Sequence, residues 1–137
     1  MERFLGRYST YFYAVFRIVF GFMFMLHGMQ KLFNVPPAKQ SIELGGLILV
    51  AAIIEFGGGL LIMIGLFSSI AAFLSSGTMA VAYFMAHQPN GALPIMNGGE
   101  LAVVYCFAFL YIASRGSGVW SVESMFKGSG SAAANGG

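Results

Sequence analysis

Long apolar runs, separated by short stretches rich in polar residues, glycine and proline, dominate this sequence. They cover residues 11–33, 44–66, 70–87 and 100–114. A helix of about 20 apolar residues crosses the hydrocarbon core of a bilayer, and most of these runs approach or exceed that length. The pattern therefore predicts an all-α fold, an integral membrane four-helix bundle that forms one domain over residues 1–127. Residues 128–137, which are Gly, Ser, Ala and Asn, are expected to form a flexible tail.

Composition agrees with a membrane location and excludes several classes of function. Hydrophobic residues make up 58% of the chain and charged residues only 9%, against about 25% charged residues in a typical soluble domain. The formal net charge of +2 is spread thinly, so a nucleic-acid surface is excluded. Cys106 is the single cysteine, which excludes an internal disulfide and a C-x-x-C redox pair. The sequence predicts no metal site and identifies no catalytic residue.

Basic residues near the ends of the apolar runs predict the orientation in the membrane. Four of them lie on the side of the two termini and two lie near the first loop: Arg3, Arg7, Arg115 and Lys127 against Lys31 and Lys39. Cytoplasmic segments carry the excess of Lys and Arg in membrane proteins. We therefore expect both termini in the cytoplasm, with the bacterial cytoplasmic (inner) membrane as the location.

Two charged residues lie inside apolar runs. Arg17 interrupts the first run and Glu55 the second. A charged side chain at the bilayer centre costs about 2.5 to 3.5 kcal/mol on insertion scales, so each needs a partner inside the bundle. Counted from the ends of the runs, the two residues fall at depths that a long arginine side chain could bridge. The sequence thus predicts an Arg17–Glu55 ion pair that holds the bundle together.

Glycines in the second run suggest close packing between helices. Small residues let the backbones of membrane helices approach each other. The predicted packing positions are Gly45, Gly46, Gly57, Gly58 and Gly59.

Four further polar residues are expected at similar depth on the side opposite the termini: His27, Lys31, His87 and Glu100. Such a cluster would suit contact with a quinone headgroup or a partner subunit. Ligation of a haem or of a chlorophyll-type pigment through His27 or His87 is an alternative, because both histidines are predicted near the same level on different helices. Lys31 and Glu100 are equally compatible with plain interfacial charges, and the histidines with structural roles.

The order of several short motifs resembles the DoxX family of small four-helix membrane proteins. The motifs are His27-Gly-x-x-Lys31, Ile54-Glu-x-Gly-Gly58 and Gly98-Gly-Glu100, followed by Gly116-x-Gly-x-x-Ser121 after the last run. The resemblance covers about residues 11–126. It implies a four-helix bundle and an association with membrane redox chemistry, for example as a subunit beside a thiosulfate:quinone oxidoreductase.

Three functions are consistent with these patterns. The first is an integral membrane accessory subunit of an electron-transfer complex that contacts quinone through the outer His/Lys/Glu cluster. The second is a purely structural or assembly subunit of a respiratory or photosynthetic membrane complex. The third is a small transporter in which Arg17 and Glu55 line one polar path. All three have the lipid bilayer as a partner, and the first two also have other membrane subunits.

Overall fold

The computed structural model describes residues 4–40 and 42–127, and the predicted tail 128–137 lies outside this part. All regular structure in the described residues is helical, which confirms the predicted all-α fold. The helices are α1 (Ser9–Phe33), α2 (Gly46–Ile64), α3 (Ser68–Ala82), α4 (Pro94–Asn97), α5 (Glu100–Arg115) and a short α6 over residues 122–127. A π-helical turn, Tyr83–His87, and a 3₁₀ turn, Gln88–Asn90, extend α3.

A short connection makes α2 and α3 antiparallel neighbours. Helix α2 is capped by Gly65, whose N–H donates to the carbonyls of Leu61 and Ile62, and α3 begins only three residues later at Ser68. The start of α1 and the end of α5 lie at the same end of the molecule, because the Tyr13 hydroxyl donates to the carbonyl of Gly116 at 2.5 Å. Both termini of the described chain therefore lie at one end, which we call the terminal end.

Buried positions on the long helices recur at steps of three and four residues. On α1 they include Arg17, Gly21, Phe24 and Gly28, and on α2 they are Ala52, Glu55, Gly59 and Ile62. This spacing keeps one stripe of each helix facing its neighbour. The polar residues Arg17 and Glu55 thus belong to the same stripes that bury the apolar core.

Glycines bring α1 and α2 into backbone contact. A Cβ at Gly21 would lie 2.6 Å from the Met63 nitrogen, and one at Gly59 would lie 2.5 Å from the Met25 nitrogen. Gly28 meets Phe56 in the same way. Each of these sites is closed to any larger side chain unless a helix moves. The contacts therefore fix the register of α1 against α2.

Only part of the predicted set of packing glycines takes part. Gly59 packs against α1, and Gly58 faces the Ser75 hydroxyl of α3. At Gly45, Gly46 and Gly57, in contrast, no atom of the described residues beyond the local backbone lies within 4 Å of the point that a Cβ would occupy, so these three make no such contact within the described chain. Gly45 and Gly46 precede or open the helix, and Gly57 lies on an open face of α2.

Aromatic and aliphatic side chains of α1, α2 and α5 form the apolar core. Phe24 packs on Phe109 with ring centroids 4.6 Å apart, and Tyr105 stacks on Phe109 at 5.5 Å. Ile62 and Ile112 complete this group. Helix α3 joins α5 through smaller residues, and the Ser76 hydroxyl donates to the Cys106 carbonyl at 2.7 Å.

The outer surface is apolar along the helices. Three helical stretches of the described chain are long and apolar enough to cross a membrane: Gly6–Phe33, Gly46–Ile64 and Ser68–Asn90. Large hydrophobic side chains such as Leu47, Phe73 and Phe107 point outwards and are mostly exposed. Such a surface is stable against lipid rather than water, so the chain is an integral membrane protein in contact with the bilayer.

Candidate functional site

Arg17 is fully buried near the terminal end, where it binds backbone carbonyl groups. Its Nε donates to the Ile62 carbonyl at 3.0 Å, at the C-terminal end of α2. Its Nη atoms donate to Ser117, to Val119 at 3.0 Å and to Trp120 at 2.7 Å, all in the segment after α5. We call Arg17 with these four carbonyls the arginine clasp. The partial negative charge of carbonyl groups at a helix C-terminus suits a guanidinium ion.

Two glycines shape the segment that the clasp holds. Gly116 and Gly118 have φ values of 78° and 70°, in the left-handed region that glycine adopts without steric cost. The resulting turns direct several carbonyls of this segment towards one point. The Gly-x-Gly-x-x-Ser pattern after the last apolar run therefore forms a loop whose backbone carbonyls accept hydrogen bonds from the buried Arg17.

The predicted Arg17–Glu55 ion pair is wrong. Gly21 faces Gly59 and Gly28 faces Phe56, and this register places Arg17 beside the end of α2, at Ile62. Glu55 lies two helical turns away along α2, about 11 Å. The depths counted from the ends of the apolar runs could not show this, because the glycine contacts, and not the ends of the runs, set the register.

Glu55 instead forms an ion pair with Lys31 of α1. The Lys31 Nζ donates to Glu55 Oε1 at 2.7 Å and to Oε2 at 2.9 Å. The Glu55 side chain is 3% exposed and the Lys31 side chain 27% exposed. A buried carboxylate is thus neutralised by a cation whose stem and amine reach the edge of the bundle. Since Arg17 and Glu55 have separate partners, the transporter alternative loses the residue pair on which it was based.

His27 lies beside this ion pair. It precedes Lys31 by one helical turn, so the two side chains are neighbours on the surface of α1. The His27 ring is exposed and stands edge-on to the ring of Tyr105 on α5, with centroids 5.9 Å apart. We call His27, Lys31, Glu55 and Tyr105 the ion-pair cluster. It combines an exposed imidazole, a charge pair and the buried ring of Tyr105, contributed by α1, α2 and α5.

The structure does not join the other two predicted residues to this cluster. His87 is half-buried next to Tyr83, with ring centroids 6.5 Å apart, and Glu100 is the exposed first residue of α5. Within residues 4–40 and 42–127, no hydrogen bond or ion pair links His27, His87 and Glu100. All of them lie at the end opposite the termini, but as separate groups rather than as one direct-contact cluster.

Asn97 organises the loop between the extension of α3 and the start of α5. Its Nδ2 donates to the Tyr83 hydroxyl at 3.1 Å and to the Gly91 carbonyl at 3.2 Å, and its Oδ1 accepts the Gly99 N–H at 2.9 Å. This amide therefore fixes the positions of both His87, through Tyr83, and Glu100, which follows Gly99.

Aromatic rings continue from the ion-pair cluster along the α1–α5 contact. Phe20 stands edge-on to Tyr105 at 5.9 Å, Phe16 packs on Phe20 at 4.5 Å, and Phe16 meets Tyr111 at 6.0 Å. Edge-on and tilted pairs of this kind are favourable geometries for aromatic rings. The row extends almost to the arginine clasp and leaves the two polar regions separated by apolar side chains.

Sequence reasoning missed three features of the site. Tyr105 was overlooked because α5 also carries aromatic residues on its exposed face, Phe107 and Tyr111. The glycine pair Gly21 and Gly28 was overlooked as a packing site, although both lie between Arg17 and Lys31 on the same stripe of α1. The segment 116–121 showed its Gly-x-Gly pattern in the sequence, but nothing there indicated that its carbonyls receive Arg17.

The chemistry available at the ion-pair cluster is hydrogen bonding. An exposed imidazole can donate a hydrogen bond through one ring nitrogen and accept one through the other. The described residues contain no group of three His, Cys, Asp or Glu side chains that could hold a metal ion.

Comparison with known proteins gives two matches. A sequence model of the DoxX family matches residues 12–88. The chain is also 40% identical over 132 residues to an uncharacterized protein of Haemophilus influenzae, in an alignment that covers 89% of this chain and 96% of that protein. No solved structure matches. The family match includes α1, α2 and α3, and therefore both Arg17 and the Lys31–Glu55 pair.

Proposed function

The chain belongs to the DoxX family, and we propose that it is an accessory subunit of an electron-transfer complex in the bacterial inner membrane. The family resemblance links it to membrane redox chemistry, and its relative in Haemophilus influenzae is a bacterial protein. Its own residues offer polar groups at the edge of an apolar bundle rather than a set of catalytic side chains. This combination favours a subunit that contacts a redox partner over a free-standing enzyme.

We propose that α5 crosses the membrane together with α1, α2 and α3, which completes a four-helix transmembrane bundle. Helix α5 is shorter than α1 and α2, but its buried stripe packs into the same core. Arg7, Arg115 and Lys127 lie at the terminal end, and Lys31 and Lys39 at the other. The excess of basic residues supports a cytoplasmic position for both termini.

The ion-pair cluster is the observation that carries the functional proposal. An ion pair within a membrane-spanning segment is costly to build and usually serves a purpose beyond packing. Here the exposed His27 ring provides a hydrogen-bond donor next to the pair, and the partly buried Phe20, edge-on to the buried ring of Tyr105, provides an aromatic side chain nearby. A quinone headgroup is flat and apolar with carbonyl acceptors, so it matches an imidazole donor beside aromatic rings.

His87 and Glu100 receive a different role in this proposal. Both lie at the end opposite the termini, and Glu100 is exposed at the first turn of α5. We assign them to the contact with a partner subunit, where a carboxylate can relay a proton.

Purification from native membranes in a mild detergent tests the proposal. Mass spectrometry of the bound proteins, lipids and quinones, with an absorption spectrum of the same sample, should show redox subunits and a quinone. The variant His27→Leu should lower the bound quinone roughly tenfold, as expected when about 1.4 kcal/mol of binding free energy is lost. His87→Leu is the matched control and should keep the quinone. A colourless homo-oligomer without redox subunits or quinone would contradict the proposal.

A structural or assembly subunit of a respiratory or photosynthetic complex is the second candidate. Gly57 favours it, because this residue lies in the middle of α2 and a Cβ there would have no neighbour within 4 Å among the described residues beyond its own helix. Such a flat site can receive a helix of a neighbouring subunit. In that case partner subunits copurify without quinone, and His27→Leu leaves the complex intact. A haem or pigment held by His27 or His87 would be visible as colour in the same absorption spectrum.

A further inference from the structure

A second polar region lies at the terminal end, away from the ion-pair cluster. There a cavity of about 540 Å³ opens between the start of α3 and the segment that follows α5. Its lining includes Arg115, Lys127, Glu123, Ser69 and Ser124. The volume is in the range of sites that hold small molecules. Two cations against one anion leave the cavity with a net positive charge.

Arg115 is held in place by aromatic rings. Its guanidinium group lies 5.0 Å from the centre of the Tyr13 ring and 6.0 Å from that of Tyr111. Within the described residues it donates one hydrogen bond, to the Tyr111 hydroxyl at 3.4 Å. Stacking on a ring uses the face of the guanidinium group and leaves its edges for acceptors. The planar fork of donors suits the paired oxygens of a phosphate group.

The start of α3 adds a second attraction for anions. This helix has 15 residues, and Ser69 and Ile70 of its first turn line the cavity. One anion is already present there, because the Glu123 carboxylate accepts the Phe67 N–H at 2.7 Å. The arrangement shows that this end of α3 attracts negative charge, while Arg115 and Lys127 lie on the same cavity wall.

Apolar side chains surround the cavity on the outside. Phe67 and Ile70 are exposed beside it on the α2–α3 turn and α3, and Met125 and Phe126 are exposed on α6. In an integral membrane protein, such residues at the end of the spans contact the boundary between headgroups and acyl chains. A ligand that fits both features has an anionic head and an apolar tail.

We propose that this cavity binds the phosphate headgroup of an anionic phospholipid from the leaflet at the terminal end. Arg115 and Lys127 bind the phosphate, and the acyl chains lie along Phe67 and Ile70. This site is independent of the quinone contact, since it involves the opposite end of the bundle.

The test compares phospholipids that differ in headgroup charge. The purified full chain is reconstituted in nanodiscs of phosphatidylcholine with phosphatidylglycerol, extracted in mild detergent and analysed by native mass spectrometry. The wild type should retain phosphatidylglycerol over phosphatidylcholine by roughly tenfold to thirtyfold, as two basic residues near a membrane surface provide. The double variant R115Q/K127Q should lose this preference. Arg7→Gln removes a charge at the same end, outside the cavity, and should retain it.

Two further measurements distinguish the sources of the ligand and exclude misfolding. Inorganic phosphate should fail to displace the retained lipid; displacement, without any preference between the two lipids, would overturn the assignment to phospholipid. Arg115→Lys keeps the charge but loses the planar fork, so it should give an intermediate preference. Circular dichroism should show an unchanged helical content in all variants. Equal retention of phosphatidylglycerol by wild type and R115Q/K127Q would refute the site.

Discussion

Replacing the two members of the Lys31–Glu55 pair should reveal an asymmetry that follows from their exposure. Removal of one partner of a buried ion pair costs about 3 to 5 kcal/mol, because the other charge stays buried without compensation. Glu55 is 3% exposed and has no route to water, whereas Lys31 is 27% exposed and can extend its amine outwards. Lys31→Met should therefore destabilise the protein more than Glu55→Met.

The expected magnitudes follow from this difference. For Lys31→Met we expect a loss of about 3 kcal/mol. This is the lower part of the range, because the Lys31 side chain is partly exposed and the pair therefore lies at the edge of the bundle. For Glu55→Met we expect about 1 to 2 kcal/mol, because the remaining lysine relaxes towards the surface. The double variant replaces the pair by two apolar side chains of similar length, and its loss should not exceed about 1 kcal/mol. The resulting coupling free energy is at least about 3 kcal/mol.

Reversible unfolding in mixed micelles of dodecyl maltoside and sodium dodecyl sulfate, followed by circular dichroism, gives the four free energies of the cycle. Lys39→Met serves as the control, because Lys39 is an exposed loop residue and its replacement should change the stability by less than about 0.5 kcal/mol. Losses that add up, with a coupling below about 0.5 kcal/mol, would refute the reasoning. A larger loss for Glu55→Met than for Lys31→Met would refute the argument from exposure.

Two other changes test the arginine clasp and the glycine contacts. Arg17→Met removes the donor from four carbonyls and should cost at least about 3 kcal/mol, with faster hydrogen exchange over residues 116–121; Arg17→Lys, with three donors on a point charge, should not restore the loss, and full stability of that variant would contradict the clasp. Gly21→Ala meets the Gly59 carbonyl and should cost about 1 to 3 kcal/mol in the same unfolding assay. Gly77→Ala meets no atom of another helix within 4 Å in the described part of the chain, so it should change the stability by at most about 1 kcal/mol.

The fold class and the helical segments follow from the apolar runs, because a membrane span must be helical and of a certain length. Helices α1, α2, α3 and α5 cover the four runs, with ends shifted by a few residues. Those shifts matter little for the fold. They matter for pairing, because an error of one turn along either helix assigns a charged residue to the wrong partner.

The candidate site shows this limit directly. Glu55 and Lys31 were both identified as polar residues that needed a role, but their pairing depends on the register that Gly21, Gly28 and Gly59 fix by backbone contact. Arg17 was expected to need an anion, and peptide carbonyls instead provide its acceptors. Every residue has a backbone carbonyl, so the side-chain pattern of the sequence does not indicate which carbonyls bind Arg17.

The arginine clasp also constrains how the protein is made. Ser117, whose carbonyl receives Arg17, is 100 residues further along the chain. At a synthesis rate of about 5 to 20 residues per second, the first helix waits roughly 5 to 20 s for that partner to be translated. During this interval the first helix contains a guanidinium group whose acceptors after α5 have not yet been synthesised. The segment after α5 therefore completes the set of hydrogen bonds that the first helix needs in the membrane.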